Sequence, residues 1–74
     1  MNRTTEARHH LHPLRVWRAA TGLSQKELAR EAGIARSTVI RLEAGEVPTV
    51  KTANAVANVL GVDREALFPP EEQT

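Results

Sequence analysis

Apolar side chains recur along this chain at intervals of three and four, between short, sharply punctuated breaks. Pro13, Gly22, Gly33, Gly45 with Pro48, Gly61 and Pro69-Pro70 divide it into segments of roughly 6 to 12 residues. No segment sustains an alternation of period two. Several repeat at i, i+3, i+4 and i+7, the mark of a helix with one buried side. The pattern predicts five short helices and no sheet.

The first helix is expected to begin at Pro13, whose fixed φ and missing N–H suit a first turn. Leu14 and Trp17 share its inner face, and Gly22 stops it. The second covers residues 24–32. Ser24 and Glu27 read as a capping box, in which each side chain satisfies a backbone N–H of the first turn. Leu28, Ala29 and Ala32 form its apolar face, and Gly33 closes it with a residue that tolerates positive φ. The third runs from about residue 35 to 44, with Val39 and Leu42 inward. Arg36, Ser37, Ile40, Arg41 and Ala44 fall on the opposite arc. The fourth starts near Thr49, an N-cap after Pro48, and directs Val50, Ala53, Val56, Ala57 and Leu60 inward. A last turn over 63–67, capped by Asp63, leads to Phe68. Residues 1–10 and 70–74 read as frayed ends.

Composition narrows the class. A chain of 74 residues holds one small domain, which excludes a second domain or a large catalytic cleft. Apolar residues make up 41%, too many for a disordered chain, and eleven of them are Ala, so the core must come from thin, closely packed helices. With no Cys, disulfides and thiolate metal sites are excluded and an intracellular setting is favoured. No apolar run reaches the length of a membrane span, and the N-terminal residues do not read as a signal peptide. Charge is uneven: residues 1–60 hold nine basic and five acidic side chains, residues 61–74 one basic and four acidic. A mildly basic body suits an anionic partner, and the acidic tail suits a position facing away from it.

The stretch from Ser24 to Leu42 places two helices of about two turns each around a tight Ala-Gly-Ile bend. Ala29 sits where the helices must cross closely, and Ile34, Val39 and Leu42 hold the second onto the first. The set Arg18, Gly22-Leu23-Ser24-Gln25, Leu28-Ala29, Gly33-Ile34, Val39, Leu42-Glu43, Gly45 and Pro48, followed by Leu60-Gly61-Val62 and Leu67-Phe68, resembles the phage-repressor and Cro-like (XRE-type) helix-turn-helix family. The resemblance covers about residues 13–68. It implies an all-α, compact five-helix bundle of the lambda-repressor-like DNA-binding type, with the helix-turn-helix at about 24–43. A flexible arm (1–12) and a flexible acidic tail (69–74) are expected to flank it.

The resemblance implies a sequence-specific transcriptional regulator, expected to be a repressor, whose third helix lies in the major groove of duplex DNA. Arg36, Ser37, Ile40 and Arg41 would face the bases, across a sector of about 140° at roughly 100° per residue. Arg can grip guanine O6 and N7 with two parallel bonds, Ser can donate or accept, and an exposed Ile can meet a thymine methyl. Gln25, next to a helix cap where free N–H groups favour an anion, is the leading phosphate contact. Lys26, Thr38 and Lys51 are the others. Arg18 and Glu43 are expected to pair between helices and orient the reading helix. The family pattern usually has Ser or Thr where this chain has Ala35, which forfeits ~1 kcal/mol of capping.

A homodimer on a palindromic operator is expected, with half-sites ~34 Å apart and contacts from residues 62–70. The alternative is a DNA-binding antitoxin or interaction module whose main partner is another protein. No cofactor, membrane or enzymatic role is expected. His9, His10 and His12 lack a second ligand cluster, so no metal is expected either. An unstructured arm is the leading expectation there, and Arg3 and Arg8 make contact with phosphate or the minor groove the next one. Asp63, Glu65, Glu71 and Glu72 read as capping and solubility rather than catalysis. The resemblance further implies a cytoplasmic, nucleoid-associated protein of prokaryotic, plasmid or phage origin.

Overall fold

A computed structural model describes residues 11–70. Five helices follow in order: α1 (Pro13–Thr21), α2 (Gln25–Ala32), α3 (Arg36–Glu43), α4 (Val50–Leu60) and the single turn α5 (Arg64–Leu67). No strand occurs among the described residues.

Local signals set most of the boundaries. Ser24 and Glu27 form both bonds of the capping box: Glu27 N–H donates to Ser24 Oγ (3.0 Å) and Ser24 N–H to Glu27 Oε1 (2.8 Å). Thr49 Oγ1 accepts from Thr52 N–H at 3.1 Å and opens α4. The α2–α3 bend turns on Gly33, whose φ of +74° belongs to the left-handed region. The residues around it close the end of α2: Gly33 N–H donates to the Arg30 carbonyl (3.3 Å) and Ile34 N–H to that of Ala29 (3.0 Å).

The core joins one stripe from each helix: Leu14, Leu28, Ala29, Val39, Leu42, Ala53, Val56, Ala57, Leu60, Leu67 and Phe68. Leu23, Ala32, Ile34, Val59 and Val62 pack around its edge. Two of its thinnest members, Ala29 and Ala53, belong to α2 and α4, which lie against each other. Small side chains let the two backbones approach.

Four expectations change. Trp17, expected in the core, is 41% exposed. Arg18 takes the inward position instead, because its guanidinium finds an acceptor in the Leu23 carbonyl (2.7 Å) and in the Glu43 carboxylate. A step of about 100° per residue then carries Trp17 to the rim. Val50 is also exposed, at 62%. It sits on the first turn of α4, and the buried stripe begins only at Ala53. Asp63 stands at the N-cap of α5, but its side chain makes no capping bond.

His12, assigned to the arm, is 7% exposed. Its Nδ1 accepts from Leu14 N–H at 3.0 Å, capping α1, and its ring lies 5.7 Å from that of Phe68. The bland look of an isolated His before Pro concealed a helix cap. His9, His10, Arg3, Arg8, Glu71 and Glu72 lie outside the described residues.

Candidate nucleic-acid interface

α3 divides cleanly into two sides. Val39 and Leu42 are buried, whereas Arg36, Ser37, Ile40 and Arg41 are all exposed. The sequence pattern set this division, and the short bend at Gly33 fixes it in space by anchoring the inner side on α2. The open side therefore carries two guanidinium groups, a hydroxyl and one β-branched apolar side chain.

Behind it lies a polar brace. Arg18 on α1 pairs with Glu43 at the end of α3, the two side chains being only 14% and 7% exposed. Arg18 Nη2 adds a longer bond to Glu43 Oε1 at 3.4 Å. Gln25 joins them, its Nε2 donating to Glu43 Oε1 at 3.0 Å. Three helices are thus tied at one carboxylate. A buried charge of this kind contributes mainly by fixing geometry, since desolvation offsets much of the attraction.

Gln25 consequently divides its amide between this brace and the surface. It lines a shallow depression together with Arg18, Ser24, Lys26 and Arg36. Ser24 Oγ and its carbonyl accept from Glu27 and Leu28, so among the first N–H groups of α2 those of Gln25 and Lys26 stay available. Glu27, the partner in the cap, is held below the ordinary carboxylate range by the Ser24 backbone N–H first and by its hydroxyl second.

Thr38 is half-buried and its hydroxyl accepts from Arg41 Nη2 at 3.4 Å. Lys51 is exposed in the first turn of α4. Arg36 makes no hydrogen bond or ion pair among the described residues. Arg41 does: its Nε lies 3.2 Å from Glu46 Oε1. Sequence reasoning missed Glu46 altogether; its position just after Gly45, five residues beyond Arg41, was the available signal. Among the described residues no group of three or more His, Cys, Asp or Glu side chains could hold a metal ion. No helix among them is long and apolar enough to cross a membrane.

Comparison with known proteins agrees with this architecture. The family model described as helix-turn-helix matches residues 14–67. An uncharacterized HTH-type transcriptional regulator of Methanocaldococcus jannaschii is 37% identical over 60 residues, covering 80% of this chain and 91% of the relative. One from Archaeoglobus fulgidus is 38% identical over 56 residues, covering 74% and 80%. Another, from Methanothermobacter thermautotrophicus, is 41% identical over 49 residues, covering 65% and 71%. With the bend, the braced third helix and these matches together, the chain belongs to the XRE-type helix-turn-helix family, a family of DNA-binding transcription regulators and not of enzymes.

Proposed function

We propose that the protein recognises a specific duplex sequence by inserting α3 into the major groove, with Arg36, Ser37, Ile40 and Arg41 toward the base edges. The observation that carries this reading is the joint exposure of those four side chains on a helix whose other side is buried and braced at Glu43. Each arginine gripping a guanine would supply ~1–3 kcal/mol of discrimination against a wrong base. Gln25, Lys26 and Lys51 hold phosphates in this arrangement, the first two beside the open N-terminus of α2. Thr38 contributes less, since it is half-buried, although its hydroxyl only accepts from Arg41 and keeps its O–H to donate. Phosphate contacts set the register of the helix in the groove, and base contacts carry the sequence information.

The protein acts in this reading as a repressor, binding as a homodimer to a palindromic operator. Leu67 and Phe68 are turned into the core, so a dimer contact at that end of the chain falls to Val62, Ala66, Pro69 and Pro70.

Titration with random-sequence duplex across a salt series tests the phosphate contacts: affinity must fall as salt rises. Selection from a random DNA pool then yields the preferred site, and two-fold symmetry in it is the expected sign of a dimer. On that site Arg36→Ala relaxes the preference at one position, whereas Lys51→Ala weakens all sequences alike. Equal behaviour of the two variants would reject the division between base and phosphate contacts.

A further inference from the structure

Arg36 and Arg41 share the open side of α3 but differ in their surroundings. Arg36 stands alone. Arg41 is held at two points of its guanidinium, at Nε by Glu46 Oε1 (3.2 Å) and at Nη2 by Thr38 Oγ1 (3.4 Å). Glu46 is itself well placed. Gly45, at φ +108°, turns the chain back at the end of α3, and Glu46 N–H donates to the Arg41 carbonyl at 3.0 Å. Backbone and side chain of one residue thus both bind Arg41.

We infer that Glu46 determines specificity: its carboxylate ties Arg41 so that the guanidinium can meet a guanine edge end-on but is kept from turning aside to a phosphate. The inference rests on the reading of Arg41 as a base contact given above. A guanidinium has five N–H donors in a fixed fork. With the Nε side of the guanidinium facing the Glu46 carboxylate in an ion pair, the Nη1 group is open and Nη2 keeps a second hydrogen, which is what a grip on O6 and N7 requires. A phosphate approaching from the side must displace the carboxylate and tolerate its negative charge. The pair is 52% and 55% exposed, so it is weak enough to yield but costs something to break. Non-sequence-specific affinity comes almost wholly from phosphate contacts. A carboxylate that withholds one arginine from the backbone therefore lowers affinity for random DNA more than affinity for the correct site, and specificity is that difference.

The test is Glu46→Gln, which keeps the shape and removes the charge. Binding is measured against random-sequence duplex and against the site selected from a random pool, between ~50 and ~200 mM salt. The variant should bind random duplex about threefold more tightly at the low-salt end, with a log–log salt slope steeper by about one phosphate contact. The selected site should gain less, so the ratio between the two narrows. In an Arg41→Ala background the gain on random duplex should fall by more than half. An unchanged random-duplex affinity overturns the inference. So does an equal gain with and without Arg41, which would make Glu46 a general repulsive charge. In both cases salt-dependent binding by the parent protein leaves the DNA reading standing. A parent whose binding ignores salt overturns that reading, and this one with it.

Discussion

The two helices of the bend have the same length, eight residues each, and begin in opposite ways. α2 opens on a complete capping box, with Ser24 and Glu27 satisfying each other's backbone. α3 opens on Ala35, with no side-chain cap at all. A short helix without a cap is marginal in isolation, because nucleation is costly and few bonds repay it. The order of α3 is therefore imposed from behind, by Val39 and Leu42 in the core and by the brace on Glu43. The helix with its own local start supports; the helix proposed to meet DNA depends on tertiary contacts for its shape.

That contrast can be broken from the largest effect downward. Leu42→Ala removes the core anchor of α3 and should cost about 2 to 5 kcal/mol in denaturant unfolding; a cost comparable to that of an exposed substitution would contradict the dependence of α3 on the core. Arg18→Ala leaves the Glu43 carboxylate in place with Gln25 as its remaining donor. We expect about 2 kcal/mol, somewhat below the usual cost of orphaning a buried charge. A double-mutant cycle with Glu43→Gln should show coupling between the two positions. Ala35→Ser supplies the missing cap and should raise stability by about 1 kcal/mol, whereas Ser24→Ala should lower it by a similar amount. Equal, near-zero effects in thermal melts would erase the distinction between the helices.

The smallest effect is in pH. The Glu27 carboxyl is depressed in the folded state, so its contribution is fully present above the ordinary glutamate value. It is lost as pH falls through the depressed one. Glu27→Gln retains a capping side chain without a titrating group. Its melting temperature should fall less steeply than that of the parent on acidification below about 4.5.

Elements announced by strong local chemistry are legible in the sequence itself. Ser24-x-x-Glu27, Gly33 and Thr49 fixed helix ends without help from the rest of the chain. The outer side of α3 followed from phase alone. Errors arose where two residues competed for one position. Trp17 and Arg18 are neighbours on α1, and hydrophobicity favoured the first. The charged residue won because two acceptors await it, the Leu23 carbonyl just past the end of the helix and the Glu43 carboxylate far along the chain. His12 was unreadable for a related reason: its value as a cap depends on shelter from Phe68, 56 positions later in the chain. Glu46 escaped notice because its role depends on how Gly45 turns the backbone, which spacing alone does not convey.

The links between α1 and α2, between α2 and α3, and between α4 and α5 are each three residues long. Most partners in the bundle are thus close along the chain, and little loop entropy must be lost before contacts form. Helical domains of this kind acquire their structure in microseconds to milliseconds. Once the last core residue, Phe68, is free to pack, the whole bundle can close on that timescale.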